Sequence, residues 1–111
     1  MDREGKAMSS GYTVERGSGM PPAAGDVERG LREEGLSPRS WSNGPGDTYE
    51  WHDHADHKSL WCLEGGIVFH LDEGDVELSA GDRLELPPGT RHAATVGPGG
   101  VRCVEVHRPV R

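Results

Sequence analysis

His52, Asp53 and His54 set two imidazoles two residues apart, and His92 follows forty residues on, just behind Pro87-Pro88-Gly89. In an extended chain the side chains of residues i and i+2 share a face. His52 and His54 can therefore offer two neutral nitrogens to one cation. The Pro-x-Gly turn leads into another candidate strand, which would bring His92 back to the same pocket. Three histidines suffice to hold a divalent metal and leave coordination positions open for water or a small molecule.

Short strands must position these residues. Turn signals recur at Asn43-Gly44-Pro45-Gly46, Gly65-Gly66, Asp72-Glu73-Gly74-Asp75, Ala80-Gly81-Asp82, Pro87-Pro88-Gly89 and Gly97-Pro98-Gly99-Gly100. Between them lie candidate strands at 47–54, 58–64, 66–71, 75–79, 83–86, 91–96 and 101–107. Val76-Glu77-Leu78 and Leu84-Glu85-Leu86 alternate apolar with polar residues, the mark of a half-buried strand. Short strands at this spacing predict an all-β sandwich or barrel over 41–111. Upstream, 26–36 reads as a short helix: Val27 and Leu31 lie four apart, Asp26 is a candidate cap and Gly35 a candidate stop, with Gly30 weakening its middle. The helix and its linker occupy 21–40. Residues 1–20, rich in Gly, Ser and charge, predict a disordered arm.

The chain has 111 residues, 32% hydrophobic and 5% aromatic, with 17 glycines and 8 prolines. That suits one small domain built from strands and turns. A formal charge of −7 argues against nucleic acid or an anionic membrane as partner. No apolar run approaches the roughly 20 residues of a membrane span. Met1-Asp2-Arg3-Glu4-Gly5-Lys6 leads into no apolar segment, so no secretory signal is expected. A cytoplasmic location then predicts that Cys62 and Cys103 are reduced thiols.

The glycines, the proline and the histidines fall on one pattern. Gly46 is followed by five residues, His52-x-His54, three residues, Lys58, six residues and Gly65. Gly81 is followed by five residues, Pro87-x-Gly89, two residues and His92. This resembles the two motifs of the cupin superfamily, G(x5)HxH(x3–4)E(x6)G and G(x5)PxG(x2)H(x3)N. Two positions depart: Lys58 stands where the family has an acid, and Val96 where it has asparagine. The resemblance covers about 41–111. It implies a double-stranded β-helix, or jelly roll, with an internal pocket. It also implies a homodimer in which N-terminal segments such as 26–43 pack on the partner. By position, His52, His54 and His92 would be ligands of iron, manganese, nickel, copper or zinc. Dioxygenase and isomerase chemistries are the family's usual options.

Lys58 leaves two readings open. An ammonium is repelled by a divalent cation and cannot ligate it. The first reading keeps the three-histidine metal site, with Lys58 or Glu105 positioning a small organic molecule. The second is a metal-free, non-catalytic module whose Lys58 anchors an anionic ligand. A plain ion pair of Lys58 with Glu64 or Glu105 is the structural alternative. Glu105 itself reads as a general base in the pocket or, more simply, a surface acid. Cys62 shares parity with Lys58 and Leu60, so it faces the interior as a buried thiol or a ligand contact. Cys103 is expected buried. Glu50 shares parity with His52 and would sit at the pocket rim. His57 and His70 read as solvated, and Trp41, Trp51 and Trp61 as wall or dimer-interface residues.

Overall fold

A computed structural model describes residues 11–109. In chain order the elements are β1 (Thr13–Glu15), α1 (Ala24–Glu33), β2 (Arg39–Asn43), β3 (Thr48–His52), β4 (His57–Leu71), β5 (Gly74–Ser79), β6 (Arg83–Leu86) and β7 (His92–Arg108). All strand pairs are antiparallel, in the order β1-β6-β4-β7-β2, with β3 also on β7 and β5 also on β4. The expected all-β jelly roll with a short N-terminal helix is what forms.

Four expected strands are two long ones. The glycines at 65–66 and 97–100 do not end the chain's extension. They let β4 and β7 run through as partners, with register shifts at Cys62/Glu64 and Gly65/Ile67. The first half of β4 pairs with β6, and the second half pairs with β5. Gly65 has φ +73°, and a Cβ there would lie 2.0 Å from the carbonyl oxygen of Gly100. Only glycine permits that backbone approach.

The alternation seen in the sequence fills the interior. Leu60, Ile67, Phe69, Leu78, Leu84, Leu86, Val96 and both cysteines form one buried cluster. A second cluster lies where α1 packs on β4 and β7: Leu31 meets Leu63, Val104 and Val106, with Val27, Leu36 and Trp61 against them. The apolar side of the helix is thus used within the chain. Ala23 precedes α1 as its N-cap residue and makes no side-chain cap, and Asp26 lies in the first turn beside Arg29 at 2.8 Å. Gly35, at φ +86°, ends the helix as expected. Its N–H donates to the Arg32 carbonyl and that of Leu36 to the Leu31 carbonyl, closing the last turn.

Thr13–Glu15 corrects the expectation of a disordered arm, while residues 1–10 lie outside the described residues. β1 pairs with β6, and what holds it is a partner distant in sequence. Arg16 donates to Asp82 at 2.9 Å, and the Gly17 N–H donates to the same carboxylate at 3.0 Å. The Ser79 N–H adds a third contact at 2.8 Å. Burial alone would raise the Asp82 pKa, but these donors outweigh it and hold the carboxyl below its usual range.

Candidate metal centre

The Pro87-Pro88-Gly89-Thr90 turn builds the site from both sides. Gly89, at φ +77°, donates its N–H to the His54 carbonyl at 2.8 Å. The Thr90 carbonyl accepts from His92 Nδ1 at 2.8 Å. One turn therefore fixes the backbone of one histidine and the ring of another. His52, the last residue of β3, lies directly across from His92, the first of β7. His54 lies just past β3, in the loop before β4.

The three rings converge. Their centroids lie 4.8 Å (His52–His54), 4.3 Å (His52–His92) and 5.3 Å (His54–His92) apart. One nitrogen from each falls within 4.8 Å of the others. A carbonyl can only accept, so Nδ1 of His92 and Nδ1 of His52, 2.6 Å from the Glu50 carbonyl, must carry protons. In the neutral rings Nε2 then bears the lone pair, the tautomer that metal-ligating histidines adopt through a carbonyl partner. Nε2 of His54 and Nε2 of His92 are buried with no hydrogen-bond partner. Burial, opposed by the Thr90 hydrogen bond and assisted by the Lys58 charge, pushes the His92 pKa down to about 4. Burial, then Lys58 and His52, lowers that of His54. Both rings are neutral at pH 7 and ready to donate.

Lys58 turns to Glu105, with Nζ 3.2 Å from Oε1 and both side chains 10% exposed. Glu105 also accepts from Trp41 Nε1 at 2.9 Å and faces His107 Nε2 at 3.1 Å. Burial would raise its pKa, but Lys58, Trp41 and His107 more than offset this and hold it low. The expectation of a surface acid is thereby corrected: Glu105 is buried because three donors satisfy it. Of the two acids considered for Lys58, Glu64 instead lies at the surface, 3.7 Å from Arg102.

The three histidines, Lys58 and Glu105 line one cavity of about 240 Å³, together with Arg39, Trp41, Tyr49, Phe69 and Ala94. Trp41 and Tyr49 pack edge to face, with centroids 5.8 Å apart. Trp41 is thus pocket lining as well as wall, and its indole N–H explains why it turns inward. Tyr49 enters because the register shifts between Tyr49 and His52. The same shift moves Glu50 to an outer groove with Trp51 and His70, which corrects its expected place at the rim. No sequence signal marked that bulge. Phe69 was legible from its parity with Ile67 and Leu71, and His107 from its parity with Glu105.

Cys62 does not line the cavity. Its inward parity holds, but it sits fully buried in the core cluster beside Cys103, so contact with a pocket ligand is corrected. His57 and His70 are half-buried rather than solvated. His57 bonds Glu85 at 2.6 Å, and His70 bonds Asp75 at 2.8 Å and Thr95 at 2.9 Å.

The cupin-domain family profile matches residues 41–107, and the chain belongs to the cupin family. No curated protein matches it in sequence. Solved structures similar to it include a DMSP lyase, 26% identical with a TM-score of 0.63 over 68% of this chain and 39% of that one. A cupin superfamily protein of Desulfitobacterium hafniense, 15% identical, matches with a TM-score of 0.62 over 89% of this chain and 78% of that one. Oxalate decarboxylase of Bacillus subtilis, 19% identical, matches with a TM-score of 0.61 over 66% and 21% of the two chains. The chain spans well under half the length of the two enzymes, and the likeness to the two less identical structures is one of fold.

Proposed function

We propose that this protein holds one divalent metal ion on His52, His54 and His92 and binds or transforms a small organic molecule beside it. The observation that carries the reading is the pair of buried, unpartnered Nε2 atoms on His54 and His92. Leaving a polar atom buried without a partner costs about 1–3 kcal/mol, and a lone pair aimed at a metal is a reason to retain it. The donor set fits: three imidazoles suit iron, manganese, nickel, copper or zinc. A divalent ion held there supplies a Lewis acid to a bound group.

The Lys58 charge that lowers the His54 and His92 pKa values is partly offset by its partner, Glu105. A cation at the histidines therefore faces an ion pair rather than a bare ammonium. The ammonium has three protons, and among the described residues Glu105 is its one close anionic partner. Its remaining donors are available to an acceptor oxygen of a ligand, while Trp41, Phe69 and Ala94 give that ligand an apolar wall. Lys58 would therefore orient a small acid or carbonyl compound, and Glu105, held by three donors, would fix Lys58. The same placement supports a second reading, a metal-free binder of a small anion anchored on Lys58.

Elemental analysis of protein purified without added metal separates the two. Near-stoichiometric metal that disappears in His92→Ala is the expected result. Protein that stays metal-free after incubation with iron, manganese, nickel and zinc salts would leave the Lys58-anchored anion site as the surviving reading.

A further inference from the structure

Outside the pocket, Cys62 and Cys103 form a second pair of chemistry-bearing side chains. The two residues lie directly opposite each other on β4 and β7. Both are fully buried in the same core cluster, so both side chains point to the same face of the ladder. The backbone hydrogen bonds of Cys62 settle the kind of pair this is. Its N–H donates to the Asp82 carbonyl at 2.9 Å, and its carbonyl accepts from the Gly81 N–H at 2.8 Å. Within a strand, a residue's N–H and C=O point to the same side. Cys62 spends both toward residues 81–82, away from β7, so it faces Cys103 as a non-hydrogen-bonded pair. Such pairs bring Cα atoms to about 4.5 Å, with the side chains at their closest. That spacing falls inside the range a disulfide spans, about 4.4–6.8 Å.

We propose that Cys62 and Cys103 are a site of reversible oxidation, forming an intrachain disulfide that ties β4 to β7 beneath the pocket. The two thiols are hydrogen-bonded to each other. A hydrogen bond from Cys103 holds the Cys62 thiol below its usual range, and the same bond followed by burial pushes Cys103 up. Oxidation can begin at either sulfur, and the product is the same when Cys62 attacks first and Cys103 resolves.

With a hydroperoxide as oxidant, the Cys62 thiolate attacks one peroxide oxygen, an S–O bond forms and the O–O bond breaks. In the case of hydrogen peroxide, the departing hydroxide takes up the Cys62 proton as water. The Cys103 sulfur then attacks the Cys62 sulfur. The S–S bond forms, the S–O bond breaks, and the oxygen leaves with the Cys103 proton as a second water. Two thiols lose two electrons and one peroxide is reduced to two waters. The crosslink would close a loop running from β4 to β7. It lies two residues from Glu105 and across the ladder from Trp41, both of which line the pocket.

The test is made on the full chain at low protein concentration. Reduced protein is treated with hydrogen peroxide, and a second sample is refolded from denaturant in a glutathione buffer rich in the oxidised form, so that burial cannot limit access. The expected result is a loss of 2 Da in intact mass, a peptide map joining the segments that carry Cys62 and Cys103, and recovery of both thiols with dithiothreitol. The oxidised form is expected to melt roughly 10 °C higher than the reduced form. Cys103→Ser should show no loss of 2 Da. Two titratable thiols remaining after oxidative refolding would overturn the proposal, as would cysteines found only in mixed or interchain disulfides.

Discussion

Two buried polar sites of this barrel are built in opposite ways. At Asp82 the chain satisfies its own carboxylate with Arg16 and the N–H groups of Gly17 and Ser79. At the pocket, the chain fixes Nδ1 of His52 and His92 on carbonyls and gives nothing to Nε2 of His54 and His92. Among the described residues these are the only buried side-chain nitrogens or oxygens without a partner. Folded chains satisfy nearly all such atoms. Asp82 therefore serves the fold, holding β1 onto β6, whereas the histidines are prepared for a group from outside the chain. Lys58 and Glu105 stand between these cases, with Glu105 saturated and Lys58 left with protons to give.

Removing one residue from each site separates the two roles. Asp82→Ala should cost about 3–5 kcal/mol in urea unfolding, because it strips Arg16 and two amides of their shared acceptor. It should leave metal stoichiometry intact in the folded fraction. His92→Ala should do the reverse, lowering metal affinity on the order of 100-fold or more while costing the metal-free protein less than Asp82→Ala does. Equal destabilisation by both would erase the distinction.

Lys58→Met probes the intermediate case. It leaves Glu105 buried without its counter-charge, so a loss of about 3 kcal/mol is expected by chemical denaturation. Adding Glu105→Leu should restore most of that loss, and a double mutant as unstable as the sum of the singles would contradict the pairing.

Acid should act next. In the unfolded chain His92 takes up a proton near its usual pKa of about 6.5, while in the fold it does so only near pH 4. A base with a depressed folded pKa stabilises the fold above the unfolded value, and that stability is lost as pH falls from about 6.5 toward 4. The loss should reach up to about 3 kcal/mol in metal-free protein, and His92→Ala should remove it. Asp82 and Glu105, both held low, add a further loss below about pH 4. The smallest effect is expected from Gly89→Ala, about 1 kcal/mol, since φ +77° strains any side chain there. It should also weaken metal binding, because the same turn holds His54 and His92.

The spacing of His52, His54 and His92 made the site legible, because a turn of fixed chemistry, Pro87-x-Gly89, places two of the three. Alternation made the core legible from Leu60 to Val106. The rest escaped for identifiable reasons. Glycine at 65–66 and 97–100 reads as a turn, yet in a closed sheet it allows one strand to cross another's backbone closely. The bulge between Tyr49 and His52 reverses parity without a residue to mark it. β1 is polar and looks unstructured until Asp82, more than sixty residues away, supplies its partner. The Lys58–Glu105 ion pair was among the alternatives legible in the sequence, and the pairing of β4 with β7 selects it over Glu64.

The most direct test of the central claim is a calorimetric titration of metal-stripped protein with zinc and manganese salts at pH 7, beside the His92→Ala protein. A three-histidine centre should give one site per chain in the native protein and none of comparable affinity in the variant. No binding by the native protein, or equal binding by both, would contradict it.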